Sequence, residues 1–366
     1  MKKYFSPGRV NLIGEHLDYN GGLVLPAAIQ LGITVTLTPR HDNKINFLSA
    51  NHPFALMHDL DDTIEYTKYN DWTNYPLGIV KQLLAEGHAI IPCDLYFEST
   101  LPEGSGLSSS AALEVLTGYA LLSQTESQIN RVWLSNLCQQ VENEFIGVKC
   151  GIMDQMSVAL GKKDHALLLD CATLQHEKIP FELGTYRLLI MNSKKPRSLI
   201  TSKYNERKTE CDEALRIIQA TQPDVKHLAQ APPHLLSLIS DETIHQRAKH
   251  VISENYRVKE AVKVLMMNDL STFGRLMNAS HTSLRDDYAV SGIELDTLVE
   301  AAQQATGCLG ARMTGAGFGG CAIAIVQEQR VAEFTQIVSE KYLKATGLNC
   351  EIYSSTFEDG VHEIKE

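Results

Sequence analysis

The pattern of apolar and polar residues predicts both strands and helices in each half of the chain. Apolar residues alternate with threonines from Ile33 to Thr38, which is the period-two pattern of a half-buried strand. Between 131 and 147, apolar residues recur at spacings of three and four and predict an amphipathic helix. Further strands are predicted at 94–99, 166–169, 187–191 and 321–326, and further helices at 75–86, 109–123, 199–220, 242–267 and 292–305. Because helices and strands mix without regular alternation, the pattern indicates an α+β fold.

The length of the chain predicts two domains. Its 366 residues exceed what a single hydrophobic core usually organises, and small ligands commonly bind in the cleft between two domains. The sequence contains no Pro/Gly/Ser-rich linker, no repeat and no low-complexity tract. We therefore expect an N-terminal domain over residues 1–170, a C-terminal domain over 171–366, and a ligand site between them.

Composition and charge exclude several classes of protein. The formal net charge of −11 disfavours binding to nucleic acid, which requires a dense basic surface. The sequence has neither an apolar run of membrane-spanning length nor an apolar N-terminal signal, so we expect a cytoplasmic protein that does not bind membranes. Its eight cysteines form no C-x-x-C pair and fit reduced thiols, and its thirteen histidines show no metal-ligand spacing. We expect no metal site built from protein groups alone.

The first segment with candidate chemistry runs from 7 to 22 and places charged side chains between glycines. Glu15 and Asp18 can accept hydrogen bonds from paired hydroxyl groups, and His16 can donate or accept. Arg9 is a permanent cation suited to phosphate oxygens. Taken singly, each residue fits a turn with a surface salt bridge equally well. Together they favour a polar binding site.

The second segment, 101–114, is a glycine- and serine-rich loop that runs directly into a helix-forming sequence. Glycines allow the backbone to approach phosphates closely, free amides at a helix N-terminus point toward anions, and serine hydroxyls can reach phosphate or Mg²⁺. An ordinary serine N-cap is the alternative. Three consecutive serines at 108–110 and the glycines and proline before them favour a phosphate-binding loop.

The third segment, 310–320, is rich in glycine and formally satisfies G-x-G-x-x-G through Gly315, Gly317 and Gly320. A dinucleotide-binding motif follows a strand and opens a helix, whereas this segment precedes the β-like run 321–326. The dinucleotide interpretation therefore fails on context. A P-loop is also excluded, because G-x-x-x-x-G-K-[ST] does not occur in the sequence.

Two further carboxylates are candidates, although each has a simpler explanation. Asp154 follows Gly151 and two apolar residues, so it could be a buried general base or merely the N-cap of a helix. Glu142 lies on the predicted helix 131–147, where a solvated glutamate would be ordinary. Neither residue has an assigned role from its local sequence alone.

The order of these segments resembles that of the GHMP kinases, a family of small-molecule kinases. The loop 104–112 is similar to the family's phosphate loop, and 313–320 is similar to its third motif. Within the family the resemblance is closest to the galactokinases. It rests on the segment from Gly8 to Gly22, on 151–155, and on further similarity at 72–75, 202–207 and 278–288. One departure is Leu17, which stands where these kinases usually have threonine.

The resemblance implies an N-terminal α/β domain and a C-terminal ferredoxin-like domain with the active site in the cleft between them. It also implies ATP as co-substrate, Mg²⁺ as cofactor, and phosphorylation of D-galactose at the anomeric hydroxyl. Carried over position by position, it assigns sugar binding to Glu15, His16, Asp18 and Tyr204, triphosphate binding to Gly104, Ser105, Gly106, Leu107, Ser108, Ser109 and Ser110, Mg²⁺ to Ser110 and Glu142, and catalysis to Asp154 and Arg9.

Two alternatives remain open at this point. The substrate could be a different sugar, such as N-acetylgalactosamine, arabinose or galacturonate. The protein could also be a sensor that binds galactose and ATP without turnover. The unbroken phosphate loop and the presence of both Arg9 and Asp154 favour an enzyme. We expect a monomer or a weak homo-oligomer.

Overall fold

A computed structural model describes residues 1–195 and 200–365. The strands are β1 (Lys2–Asn11), β2 (Leu23–Val24), β3 (Pro26–Pro39), β4 (Lys44–Ser49), β5 (Leu56–Asp59), β6 (Cys93–Ser99), β7 (His165–Asp170), β8 (His176–Pro180), β9 (Tyr186–Asn192), β10 (Cys308–Thr314), β11 (Cys321–Gln327), β12 (Glu351–Ser355) and β13 (His362–Glu363). The α-helices are α1 (Asn74–Ala85), α2 (Ser109–Leu122), α3 (Arg131–Gln140), α4 (Met153–Leu160), α5 (Ile200–Thr221), α6 (Glu242–Met266), α7 (Leu270–Asp286), α8 (Ile293–Gln303) and α9 (Val331–Thr346).

The N-terminal half is built on a six-stranded sheet with the order β13-β1-β3-β6-β4-β5. Helix α2 packs against β1 and β3, and it is buried over most of its surface because apolar residues and alanines occupy nearly all its positions. A smaller sheet, β2-β7-β8, adjoins β3. The last strand of the chain, β13, returns to pair antiparallel with β1. Residues from both ends of the chain therefore stabilise the first sheet.

The C-terminal half is built on an antiparallel four-stranded sheet with the order β10-β11-β9-β12. Strand β11, at positions 321–326, is completely buried, which explains its continuous apolar sequence. Helices α7, α8 and α9 pack against this sheet, and α6 packs against α7. The glycine-rich segment 315–320 is the turn between β10 and β11, so it connects two antiparallel strands rather than a strand and a helix.

The two halves meet where β1 and β10 end. The backbone amide of Asn11 donates to Oγ1 of Thr314 at 2.9 Å, and that hydroxyl lies 3.0 Å from the Asn11 carbonyl oxygen. Both residues are fully buried. The end of β1 and the turn after β10 are consequently held together, and the polar segment 7–22 lies at this junction.

Most elements with clear periodicity were predicted correctly. The predicted helix 199–220 corresponds to α5, although position 199 lies outside the described residues. The predicted helix 131–147 begins as α3 but continues from 141 to 146 as a wider π-helical turn. Helices α4, α7 and α9 and several strands, including β1 and β10, were not predicted.

Candidate active site

A cavity of about 200 Å³ lies at the junction of the two halves. The predicted residues that line it are Arg9, Glu15, His16, Asp18, Glu142, Asp154 and Tyr204, joined by Gly315 and Ala316 from the turn after β10. Residues from both halves of the chain, from Arg9 to Ala316, thus surround one cavity. Ser110 lines a second cavity that also includes Gly104 of the loop.

Arg9 and Asp154 form a two-pronged ion pair on the wall of the cavity. Nε of Arg9 donates to Oδ1 of Asp154 at 2.9 Å, and Nη2 donates to Oδ2 at 2.9 Å. Arg9 projects from β1 with its side chain almost fully buried, whereas the Asp154 side chain is 30% exposed. Planar bidentate pairing fixes the orientation of the carboxylate. The alternative of a surface salt bridge at Arg9 is therefore wrong.

The local structure of α4 also excludes the N-cap explanation for Asp154. Ile152 occupies the N-cap position, and no side chain caps this helix end. Asp154 instead lies in the first helical turn and directs its carboxylate at Arg9. A carboxylate at this position is also favoured by the helix dipole.

Glu15 is buried and already accepts hydrogen bonds at both carboxylate oxygens. Oε2 accepts from Nδ2 of Asn11 at 2.8 Å and pairs with Nη2 of Arg312 at 2.5 Å, while Oε1 accepts from the amide of Gly315 at 2.8 Å. Burial raises the pKa of Glu15, and the Arg312 guanidinium opposes that effect. Glu15 thus joins the β10 turn to the polar segment in addition to lining the cavity.

His16 is held in the neutral form. Burial, with a smaller contribution from His250, lowers the pKa of His16 to about 3. Its Nδ1 lies 2.8 Å from the hydroxyl of Tyr19, and Nε2 is buried with no hydrogen bond of normal length and angle among residues 1–195 and 200–365. The backbone of Ala316 lies beside the ring and partly opposes the lowering of the pKa. His16 lies in the left-handed region at φ 64°. A neutral imidazole with one free nitrogen is suited to a ligand hydroxyl.

Asp18 begins a short 3₁₀ turn and remains partly exposed in the cavity. Burial, with a further contribution from the Asp154 carboxylate, raises the pKa of Asp18 to about 7. The ring of Tyr204 lies 5.8 Å from that of His16 and 5.1 Å from that of Tyr19, measured between centroids. The four predicted sugar-binding residues are therefore clustered.

The loop 104–108 has an unusual backbone conformation. Gly104, Gly106 and Ser108 all have positive φ, and Ser108 occupies the N-cap position of α2 without a capping hydrogen bond from its side chain. The Ser108 hydroxyl is buried and has no partner among the described residues. An ordinary serine cap is therefore wrong. The first amides of α2 remain available to an anion, and left-handed backbone at a non-glycine residue is often found at functional sites.

Arg9 connects the loop to the ion pair. Its Nη1 donates to the carbonyl oxygen of Gly106 at 2.6 Å, and its backbone amide donates to the carbonyl of Leu107 at 3.1 Å. The Leu107 side chain is buried in the core and anchors the loop. One arginine thus fixes both the Asp154 carboxylate and the loop.

Glu142 is buried on the π-helical turn, so the expectation of a solvated residue is wrong. Its Oε2 accepts from Nε2 of Gln155 at 2.8 Å. Burial and the nearby Asp154 raise the pKa of Glu142 to about 7, whereas a hydrogen bond with Ser110 opposes the rise. Single π turns occur frequently at functional sites. Ser110 and Glu142 are therefore adjacent, as the assignment of both to one metal requires.

Comparisons with known proteins match the full length of the chain. Models of the GHMP kinases N terminal domain and of the GHMP kinases C terminal match residues 74–162 and 258–344, and the galactokinase galactose-binding signature matches 3–39. A galactokinase of Staphylococcus saprophyticus is 47% identical over 98% of this chain and 95% of its own. The galactokinase of Halalkalibacterium halodurans is 43% identical over 100% and 93%.

The chain belongs to the galactokinases within the GHMP kinase family. The structure of Lactococcus lactis galactokinase complexed with galactose superimposes with a TM-score of 0.95 at 43% identity, covering 99% of this chain and 95% of the other. A mevalonate kinase superimposes with a TM-score of 0.72 at 20% identity, which shows a shared fold. The predicted α+β fold of two GHMP kinase domains, the enzyme class of sugar kinase and ATP as co-substrate are thereby confirmed.

A second cavity of about 350 Å³ adjoins the loop of this galactokinase-family chain. It is lined by His52, Trp72, Tyr75, Phe97 and Leu101 together with Gly104 and Ser110. The indole nitrogen of Trp72 donates to the carbonyl of Phe54 at 3.0 Å, which fixes the ring. The segment 72–75, which resembles the family in sequence, thus contributes two aromatic side chains to this cavity.

Three charged residues that organise the site carried no local signal in the sequence. Arg312 is fully buried beside Glu15, and one of its nitrogens lies 3.9 Å from Oε1 of Glu254. Glu254 accepts from the amide of Gly14 at 3.0 Å and also pairs with Arg257. Arg312 lies on β10, whereas Glu254 and Arg257 lie one turn apart on α6. Only tertiary structure brings Arg312 next to Glu15 and Glu254.

Residues 1–195 and 200–365 contain no helix long and apolar enough to span a membrane. The same part of the chain contains no group of three His, Cys, Asp or Glu side chains that could hold a metal.

Proposed function

We propose that this protein transfers the γ-phosphoryl group of ATP to the anomeric hydroxyl of D-galactose, producing galactose 1-phosphate and ADP. The observation that carries the proposal is the ion pair of Arg9 with Asp154 on the wall of the cavity that also contains Glu15, His16 and Asp18. Relatives named galactokinase, and the related structure described as complexed with galactose, support the choice of sugar.

Sugar recognition is assigned to Glu15, His16, Asp18 and Tyr204. An ionised Asp18 accepts from ligand hydroxyls, and the free nitrogen of His16 contributes one further hydrogen bond. Glu15 already pairs with Arg312, so it contributes both to the ligand site and to the shape of its wall. Buried polar groups of this kind discriminate strongly against a sugar that lacks the matching hydroxyl.

The triphosphate is assigned to the loop Gly104–Ser110 and to the open amides at the start of α2. The adjoining cavity around Trp72 and Tyr75 would hold the nucleotide base, because it is partly aromatic and opens beside the loop. This arrangement directs the terminal phosphate toward the sugar cavity, where Arg9 contacts both the loop and Asp154.

Ser110 and Glu142 are assigned to Mg²⁺, and the residues present fit that ion. A serine hydroxyl and a carboxylate are the hard oxygen ligands that Mg²⁺ prefers, and the pair leaves the remaining positions to phosphate oxygens and water. When bound, the ion would neutralise charge on the transferring phosphate. Gln155 orients the Glu142 carboxylate by donating to one of its oxygens.

Asp154 is assigned as the base that takes the proton of the anomeric hydroxyl. Its carboxylate is oriented by Arg9 and is 30% exposed toward the cavity, so an oxygen remains accessible to a ligand. Arg9 is assigned to stabilise charge on the phosphate as it transfers, because its guanidinium is fixed in advance between Asp154 and the loop. Alignment and fixed charge are the main contributions an enzyme makes to this reaction.

We also propose a domain boundary, a cellular location and an oligomeric state. The division into domains is placed at 170/171, with β13 returning to the first sheet. A cytoplasmic location fits cysteines that are scattered along the sequence, four of which are buried. A monomer or weak homo-oligomer that binds sugar and MgATP completes the proposal.

The decisive experiment is a coupled ADP-release assay over a panel of sugars, with product identification by NMR. Galactose should give a kcat/KM at least about a hundredfold above that for glucose, because the polar wall is matched to one arrangement of hydroxyls. Equal efficiency on glucose, or preference for N-acetylgalactosamine, arabinose or galacturonate, would contradict the assignment of the sugar. Binding of galactose and ATP without any ADP release would identify a sensor instead of a kinase.

A further inference from the structure

A continuous chain of polar contacts leads from the sugar cavity into the core of the C-terminal half. Nδ1 of His16 lies 2.8 Å from the hydroxyl of Tyr19, and that hydroxyl lies 2.8 Å from the hydroxyl of Tyr288. The Tyr288 hydroxyl in turn lies 3.1 Å from Sγ of Cys211. Four side chains from three separate parts of the sequence therefore share three contacts.

Tyr288 is the buried centre of this arrangement. It is fully inaccessible to solvent, and its ring lies 4.7 Å from the His16 ring and 4.5 Å from the His250 ring, measured between centroids. It closes the segment 278–288, which resembles the family in sequence but has no role in the function proposed above. Because Tyr288 does not line the cavity, it can influence a ligand only through its neighbours.

The number of protons on these four side chains limits the directions in which their hydrogen bonds can run. Burial raises the pKa of Tyr19 and Tyr288 well above its usual range and raises that of Cys211 to about 12, so all three groups keep their protons. His16 is neutral and holds one proton. With all three contacts as hydrogen bonds, two arrangements are possible. In the first, Cys211 donates to Tyr288, Tyr288 donates to Tyr19, and Tyr19 donates to Nδ1 of His16. In the second, every donor and acceptor is reversed, so Nδ1–H donates to Tyr19 and Tyr288 donates to Sγ of Cys211.

Hydrogen-bond strength favours the first arrangement. Imidazole nitrogen is a good acceptor and a phenol is a good donor, whereas a thiol sulfur accepts weakly. With the Tyr19 hydroxyl donating to Nδ1, the single proton of His16 resides on Nε2. Nε2 is the nitrogen that has no partner in the described part of the chain. It is therefore left as a donor to a ligand oxygen.

We infer that Tyr288 is a positioning residue of the sugar site: its hydroxyl orients that of Tyr19, which holds His16 in the tautomer that carries its proton on Nε2. The inference rests on the proposed function for the identity of the ligand. The tautomer itself is a property of the protein without ligand. If Tyr288 served only to pack the core, loss of its hydroxyl would leave the tautomer of His16 unchanged.

The test combines NMR of the ligand-free protein with steady-state kinetics on the Tyr288→Phe variant. Long-range ¹H–¹⁵N spectra should show wild-type His16 as a single tautomer protonated on Nε2, and the variant should shift toward a mixture. The KM for galactose should rise roughly threefold to tenfold, the scale of one hydrogen bond, with kcat and the KM for ATP within about twofold. Tyr342→Phe is the matched control. This buried hydroxyl donates to the Ser193 carbonyl at 2.7 Å and takes no part in the polar contacts that join His16 to Cys211.

A variant with both tyrosines changed provides a second measurement, because it tests whether Tyr288 and Tyr19 act through the same contact. Because Tyr288 acts through Tyr19, the double variant of both tyrosines to phenylalanine should be no worse in KM than Tyr19→Phe alone. If Tyr288→Phe fails to fold, Cys211→Ser replaces it; the stronger hydroxyl donor should keep His16 in the Nε2–H tautomer and leave the KM for galactose at or below that of wild type.

Several outcomes would overturn the inference. These are unchanged His16 signals in Tyr288→Phe, a change in KM no larger than in Tyr342→Phe, additive effects in the double variant, or a wild-type His16 protonated on Nδ1. Failure of the wild type to phosphorylate galactose would instead contradict the proposed function, and the NMR measurement would still decide whether Tyr288 controls the tautomer.

Discussion

Gly151 and Asp18 lie in such close contact that the glycine has no room for a side chain. A Cβ atom built on Gly151 would lie 2.0 Å from Oδ2 and 2.4 Å from Cγ of Asp18. The backbone before α4 thus forms a wall against which the Asp18 carboxylate rests, and it fixes that carboxylate in the cavity. Any larger residue at 151 must displace Asp18.

Gly151→Ala is therefore expected to weaken sugar binding selectively. Displacement of Asp18 should lower the affinity for galactose at least about tenfold, since a misplaced polar group loses its hydrogen bonds, while the affinity for ATP changes little. Calorimetry with each ligand alone measures both. Gly292→Ala is the control, because a Cβ there would have its nearest neighbour at 3.6 Å. Wild-type galactose affinity in Gly151→Ala would show that Asp18 does not hold the sugar.

Asp154→Asn tests the proposed base. The amide keeps the size of the side chain but cannot accept the proton, so kcat should fall roughly 10²- to 10⁴-fold with a much smaller change in the KM for galactose. Asp269→Asn is the control, since Asp269 caps α7 and asparagine caps equally well. Turnover by folded Asp154→Asn within about threefold of wild type would exclude Asp154 as the base.

Arg9→Lys should also lower kcat, because a point charge cannot reproduce the bidentate pairing with Asp154 or the contact with Gly106. If both residues act on one transition state, the loss in a variant carrying both Arg9→Lys and Asp154→Asn should be smaller than the sum of the two single losses. Strictly additive free-energy changes would indicate that Arg9 and Asp154 act independently.

Ser110→Ala and Glu142→Ala should weaken the use of MgATP and leave sugar binding nearly intact. The proposed Mg²⁺ would be held by these two side chains and would neutralise charge on the phosphates, so both substitutions should act on the nucleotide. The KM for MgATP and its dependence on Mg²⁺ concentration should rise in both variants, while calorimetry with galactose alone should match wild type. Loss of galactose binding with unchanged nucleotide affinity would show that the metal assignment is wrong.

The raised pKa of Asp18 predicts that galactose affinity falls in mildly acidic solution. With a pKa of about 7, Asp18 becomes protonated between pH 7.5 and 6, and binding that needs the carboxylate should weaken by up to about tenfold per pH unit below that range. Calorimetry without nucleotide separates this effect from metal binding. The Asp18→Asn variant should show weaker binding that no longer depends on pH in this interval, and Glu142→Gln should retain the wild-type profile.

The same ionisation has the opposite effect on stability. Because the pKa of folded Asp18 lies above the ordinary value for aspartate, ionising it in the folded protein costs free energy, and this cost grows as pH rises from about 4 to 7. Relative to Asp18→Asn, wild type should therefore lose free energy of unfolding over this interval. Chemical denaturation of both proteins at several pH values measures the difference. A constant difference would show that the carboxyl group titrates normally.

Local sequence determined the features of this protein that depend on neighbouring residues. Glycines and serines before a helix-forming run identified the loop 104–110 and the start of α2, because backbone conformation and helix initiation are decided within a few residues. Apolar periodicity located part of β3 and the helices α1 and α6, and a continuous apolar run located the buried strand β11, for the same reason. Family resemblance added the roles of the polar residues, which periodicity does not encode.

Tertiary structure alone decided which of these residues meet. Arg9 pairs with Asp154 across 145 positions, and Glu15 pairs with Arg312 from the opposite half of the chain. Helix periodicity did not show that the helix containing Glu142 changes to a π turn, or that the residue is buried. Burial, the raised or lowered pKa of each group and the contact of Gly151 with Asp18 depend on atoms from several distant elements. No local pattern carries that information, because these contacts form only when the sheets and their helices pack together.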